Sequence, residues 1–128
     1  MFEKLELTRM AQALAAHAGA RMSLVAQNVA HADTPGYGAR DLPPFAAVYE
    51  GAGPDLRATR PGHIHPGNRA ADARPLDAGG WADPNGNSVS LETEMIRAAD
   101  IRQAHDMALA IYRNTSGIIR AALGRGGQ

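Results

Sequence analysis

The chain has 128 residues, a formal net charge of zero and no cysteine, which fits one domain and excludes disulfide and thiolate chemistry. Neutrality also removes the usual electrostatic drive toward nucleic acid or an anionic membrane surface. Leu, Ile, Val and Phe together supply 22 residues, about 17% of the chain, below the ~20% that warns of a poor core, so helices will form but neighbours are needed to complete their burial.

From Phe2 to about Ala32, Leu7, Met10, Leu14, Ala18, Val25 and Val29 recur at threes and fours, and Leu5, Ala11, Met22 and Leu24 widen the stripe. Glu3, Lys4, Glu6, Arg9, Gln12, His17, Arg21 and Gln27 lie mostly off it. The spacing predicts a helix of roughly 30 residues, about 45 Å long. Gly19 weakens it by about 1 kcal/mol relative to alanine but allows another backbone close approach. The stripe fits either a packing face within the chain or a face shared between subunits. The first residues lack a basic segment followed by an apolar run, and no stretch approaches the ~20 apolar residues of a membrane span. Any passage out of the cytosol is therefore expected without a cleaved Sec signal and without membrane insertion.

The helical pattern stops within Asn28-Val-Ala-His-Ala-Asp-Thr-Pro-Gly-Tyr37. Asp33 and Thr34 favour turns, Pro35 pushes Thr34 out of the helical region, and Gly36 frees the backbone to bend. The helix is expected to end near Ala32. All eight prolines then fall between Pro35 and Pro84, so residues 33–88 form an irregular insert that cannot stay helical for long. Its apolar patches are Phe45, Val48 and Tyr49, then Leu56, Ile64, Leu76 and Trp81. They leave room for one or two short strands near Ala46 to Tyr49 or His63 to Ile64. A structureless segment this long points to disorder or to docking on something else.

Asn85-Gly86-Asn87 signals a turn, and Ser88 or, preferably, Ser90 caps the next helix. Glu92 and Glu94 suit its positive N-terminal end. Leu91, Met95, Ala98, Ile101, His105, Ala108, Tyr112 and Ile119 then recur close to every 3.5 residues until the glycine-rich tail at 124–128. Asn114 to Gly117 is a patch of low helix propensity. The predicted fold is mainly α, with long amphipathic helices over 1–32 and 89–123. These form an antiparallel, coiled-coil-like pair around the insert, all within a single domain. Because alanine dominates the seam, close approach must replace bulk, and helices from neighbouring subunits are the natural supplement.

Chemistry is thinly represented. His63 and His65 would lie on one side of an extended segment with Asp55 or Asp72 nearby, but nothing completes a tetrahedral metal set. Ser23, Ser88, Ser90 and Ser116 have helix or cap explanations and no nucleophile elbow. Gly51 to Gly53 and Gly79-Gly80 lack the lysine and helix context of a phosphate loop. The arginines at 57, 60, 69 and 74 are offset by Asp55, Asp72 and Asp77. No catalytic, cofactor-binding or metal-binding residue is expected.

The decapeptide from Asn28 to Tyr37, with Ala26 and Gln27 ahead of it, resembles the signature near the N-terminus of the flagellar rod and hook axial proteins. His31 stands where that family usually has asparagine, and Gly38 where a basic residue is common. Ala39-Arg40-Asp41, Thr59-x-Pro61-x-His63-Ile64 and Asn85-Gly86-Asn87-Ser88-Val89-x-Leu91-Glu92-x-Glu94-Met95 look like further landmarks of the family's proximal-rod members, in the same order. What the resemblance implies is a non-catalytic building block. It would be exported by the flagellar type III apparatus and assembled in the periplasmic rod of the basal body. Its partners would be its own copies, other rod proteins and an adaptor at the membrane ring. On that reading Leu7, Leu14, Val25, Val29, Leu91, Met95, Ile101 and Tyr112 lie on pairing or assembly seams. The turn of Asn28, Asp33, Thr34, Pro35, Gly36 and Tyr37 fixes the angle at which the insert leaves the helices. The alternative is a soluble helical adaptor or chaperone of the export system, whose stripes bind one partner. A small metal enzyme using His63 and His65 is the remaining reading.

Overall fold

The computed structural model describes residues 2–50 and 73–124. The Thr59 to Ile64 landmark, a strand at His63 to Ile64 and the His63/His65 pair lie outside the described residues.

Two long helices dominate. Helix α1 spans Phe2–Ala30, and the C-terminal helix spans Leu91–Gly124. Between them come β1 (Arg40–Asp41), α2 (Phe45–Glu50) and β2 (Leu76–Asp77), which makes the C-terminal helix α3. β1 and β2 pair antiparallel, Arg40 opposite Asp77 and Asp41 opposite Leu76. No described helix is long and apolar enough to cross a membrane.

α1 and α3 run in opposite senses. Asn28, near the end of α1, bonds to Glu94, near the start of α3, while further along Ala18 and Val25 share a buried cluster with Ile101, flanked by Met22 and Ala98. Buried positions recur every seventh residue: Ala11, Ala18 and Val25 on α1, then Glu94, Ile101, Ala108 and Thr115 on α3. A strict seven-residue repeat keeps one face of each helix turned toward the other.

That seam is rotated from the stripe read in the sequence. Glu94 and Thr115 enter it, whereas Leu91, Met95 and Tyr112 face outward, Met95 with 74% of its surface exposed. The cause is the abundance of alanine. Helices that approach closely seat small residues between them and leave bulky ones at the flanks.

α1 has a second buried face, formed by Ala13, His17, Leu24 and Asn28. The segment after the helix stop folds back over this side. Leu42 is buried, His17 Nε2 lies 2.9 Å from the Pro43 carbonyl, and the His17 and Phe45 rings meet edge-on at 5.7 Å. His17, assigned to the polar side by sequence, is therefore interior. The stretch from Ala46 to Tyr49 is helical rather than extended. Pro43 and Pro44 pre-set a helix start, the Val48 amide bonds back to the Pro44 carbonyl at 3.2 Å, and Phe45 stacks near Tyr49 one turn on, at 5.3 Å.

Candidate functional site

Two proline turns lying some fifty residues apart in sequence meet at the closed end of the helix pair. The first follows α1. The His31 and Ala32 amides tighten onto carbonyls three residues back, at Asn28 and Val29. The chain then reverses through Thr34-Pro35-Gly36-Tyr37, closed by a Tyr37 N–H donated to the Thr34 carbonyl at 3.2 Å. Proline at the second position and a left-handed Gly36 (φ 74°) at the third are what a type II turn demands. The second is Asp83-Pro84-Asn85-Gly86, closed by the Gly86 N–H to the Asp83 carbonyl at 2.7 Å, with Gly86 left-handed at φ 82°.

The turns are docked on each other. The Gly36 N–H donates to the Asn85 carbonyl at 3.0 Å and the Ser88 N–H to the Tyr37 carbonyl at 3.1 Å. A Cβ added to Gly86 would sit 3.3 Å from the Gly36 Cα, so the first turn keeps Gly86 small, while the left-handed φ of Gly36 is what favours glycine there. Asn87 completes the joint. Its buried Nδ2 lies 2.9, 2.8 and 2.8 Å from the carbonyls of His31, Ala32 and Thr34, so its two N–H groups serve three acceptors. These carbonyls follow the helix end, where intrahelical partners run out. Its Oδ1 meanwhile accepts the Val89 N–H at 2.8 Å.

Asn28 plays the matching part from α1. With 0% of its surface exposed, it accepts the Arg40 N–H at 3.0 Å and donates to the Arg40 carbonyl at 2.8 Å. One amide thus pairs with the backbone of β1 as another strand would. It also donates to Glu94 Oε2 at 3.1 Å and receives the Tyr37 hydroxyl at 3.4 Å. Glu94, 1% exposed, takes Arg97 on its other oxygen at 2.6 Å. Arg97 Nε lies 3.7 Å from Asp41, and Asp41 is gripped by Arg21 of α1 through two bonds of 2.7 and 2.6 Å. The polar chain Asn28, Glu94, Arg97, Asp41 and Arg21 therefore ties α1, β1 and α3 together. Among the described residues, no buried side-chain nitrogen or oxygen lacks a partner, so the network is complete rather than waiting for a ligand atom.

Burial pushes the Asp41 carboxyl up. The Arg21 hydrogen bonds, the Leu42 N–H and the charges of Arg21 and Arg97 outweigh this, and its pKa falls below the ordinary carboxylate value. The same bond to Asp41 raises Arg21, against its own desolvation.

Ser90 caps α3, its hydroxyl facing the Thr93 N–H at 3.4 Å. Ser88 is used otherwise, accepting the Ala39 N–H at 2.9 Å. His31 stacks on Tyr37 with centroids 4.6 Å apart and lies 3.2 Å from the Thr34 hydroxyl, which braces the first turn from outside. Beside the joint, Ala39, the Ala78 to Trp81 loop, Ser88, Ser90, Thr93, Glu94 and Arg97 line a shallow cleft of about 360 Å3. Its two charged side chains, Glu94 and Arg97, are bonded to each other. Trp81 stands at its rim, 97% exposed.

Of the seam residues named from sequence, the structure gathers Val25 and Ile101 into the buried cluster and half-buries Leu14. Leu7, Val29, Leu91, Met95 and Tyr112 are exposed. Of the turn residues, Asn28 is buried and Tyr37 half-buried, while Asp33, Thr34, Pro35 and Gly36 lie at the surface. Sequence reasoning missed Asn87, Glu94, Arg21 and Asp41 as joint residues. The available signal was that Asn87, Glu94 and Asp41 all fall inside the quoted landmarks. Among the described residues, no group of three or more His, Asp or Glu is placed to hold a metal ion.

No family model matches the chain. It is similar to a curated protein, the flagellar basal body rod protein FlgB of Agrobacterium fabrum, with 27% identity over 118 residues covering 88% of each chain.

Proposed function

We propose that the chain is a structural subunit of the proximal rod of the bacterial flagellar basal body, similar to FlgB, and that it performs no catalysis. The carrying observation is that three of the quoted landmarks, separated in sequence, build one joint. The turn ending in Gly36-Tyr37, the Ala39-Arg40-Asp41 stretch and the Asn85 to Glu94 stretch meet through Asn28, Asn87, Asp41 and Glu94. Likeness in order alone requires no such contact; a shared architecture does. The relative similar over 88% of both chains supports the same reading and does not favour an export adaptor.

In this reading the joint is a rigid elbow that aims the insert. The exposed apolar residues of the two helices, Leu5 and Leu7 on α1 and Met95, Met107, Tyr112, Ile118 and Leu123 on α3, are the surfaces that neighbours cover. Burial at about 25 cal/mol per Å2 then supplies, between subunits, the stability that a thin core does not supply within one. The seven-residue spacing suits coiled-coil-like packing of such helices into a tube. Export through the flagellar type III channel precedes assembly in the periplasm, where the neighbours are other copies, other rod proteins and the ring adaptor.

Deleting the gene and restoring it on a plasmid tests this reading. The deletion strain is expected to lose motility and rod-containing basal bodies, with both returning on complementation. Motility that persists without the chain overturns the proposal.

A further inference from the structure

The two long helices meet along a face with little shape of its own. Ile101 shares one cluster with both Ala18 and Val25, and both helices rise about 1.5 Å per residue, so Ala108 comes between Ala11 and Ala18, and Glu94 comes past Val25 beside Asn28. Sliding α3 by one seven-residue repeat, about 10 Å, puts Ala108 between Ala18 and Val25, in the place of Ile101, and Ile101 in the place of Glu94. Ala11, Ala18 and Val25 then face Thr115, Ala108 and Ile101, a seam that is again small and largely apolar. Burial of apolar surface has no direction and is nearly blind to such a slip.

The polar groups lack that freedom. Asn28 and Glu94 are enclosed, and they reach each other at 3.1 Å only in the observed alignment. Asp41 lies between an arginine of α1 at 2.6 Å and an arginine of α3 at 3.7 Å. A one-repeat slip carries Glu94 and Arg97 about 10 Å along the axis, away from Asn28 and Asp41. Because Asn28 also holds both backbone groups of Arg40, the alignment of the helices and the direction of the insert are set by the same contacts.

We infer that the polar chain of Arg21, Asp41, Arg97, Glu94 and Asn28 sets the register of α1 against α3, a task the alanine seam does not perform. Selecting one alignment is the best-attested use of buried polar groups between helices. This inference concerns the free chain and stands or falls apart from the flagellar reading.

The chain has no cysteine, so spin labels can be placed at Gln12→Cys and Arg102→Cys, both exposed and outside the polar chain. Pulsed electron paramagnetic resonance on this protein is expected to give one narrow distance. The combined variant Arg21→Met, Asp41→Leu, Glu94→Leu and Arg97→Met replaces charge with apolar volume and leaves no unpaired ion behind. It is expected to keep its helical circular dichroism and to show a second distance shifted by several ångström, the change between labels on opposite helices that follows an axial slip of about 10 Å, one seven-residue repeat. A single unshifted distance in that variant overturns the inference, since the seam would then hold register unaided. Loss of helicity overturns it too, because the network would be supporting the fold itself rather than choosing among alignments.

Discussion

Truncating Asn28 to alanine probes the joint at its most enclosed point. The side chain makes three good hydrogen bonds, at 2.8, 3.0 and 3.1 Å, and one long one at 3.4 Å. Two of the partners are backbone groups of Arg40, an exposed residue that water reaches once the amide is gone, so each loss costs about 1 kcal/mol. The third is the carboxyl of Glu94, which is 1% exposed; a buried charged acceptor deprived of a donor costs about 1–3 kcal/mol. The sum is about 3–5 kcal/mol, a large share of the roughly 5–15 kcal/mol that holds a domain together. With a urea slope near 2 kcal/mol/M, the midpoint should fall by about 1.5–2.5 M at constant slope. The neighbouring Gln27→Ala, at an exposed position, should stay within about 0.5 kcal/mol of the parent. A midpoint shift for Asn28→Ala below about 0.5 M would refute the claim that this amide holds β1 to both helices.

Gly86→Ala sets a left-handed φ of 82° and a 3.3 Å clash with the Gly36 backbone against it, and should cost about 1–3 kcal/mol. Gly38→Ala, with open space around it, should be nearly neutral, and equal thermal midpoints for the two would contradict the docking of the turns. The Asp41 carboxyl has a folded pKa below its usual value, so its contribution is present above about pH 4 and is lost as pH falls through the folded pKa. Urea midpoints taken between pH 5 and pH 2 should fall more steeply in the parent than in Asp41→Asn, and parallel curves would remove Asp41 from the acid response. Replacing Pro35 and Gly36 together by alanine should let α1 run on, raise helical circular dichroism and reduce spreading in soft agar; unchanged motility would count against the elbow.

How far the fold can be read from sequence depends on the range of the signal. Thr34-Pro35-Gly36 ends a helix by local chemistry, and so do Asn85-Gly86 and the Ser90 cap, which is why those boundaries are legible within a residue or two. That the two turns touch is not legible, because a contact between Gly36 and Gly86 leaves no periodic trace in either stretch. Helical periodicity finds bulky residues, and here the bulk lies beside the seam. Leu91, Met95 and Tyr112 mark the flank of α3, while Glu94, Ala108 and Thr115 occupy its buried line. Glu94 reads as an ordinary acidic residue near a helix start until Asn28 and Arg97 are seen around it. His17 reads as a surface polar group until Pro43 and Phe45 fold over it. The short α2 was written in Pro43-Pro44 followed by Phe45, Val48 and Tyr49 at helical spacing, a signal masked by the proline and glycine around it.

The most direct test compares the free chain with the assembled rod. Single cysteines at Leu7, Met95 and Ile118, placed in this cysteine-free sequence, should react quickly with a maleimide in the purified protein, where all three positions are exposed. In isolated basal bodies the same cysteines should be present and protected. A chain absent from basal bodies, or one whose three positions react equally fast in both states, would contradict the account.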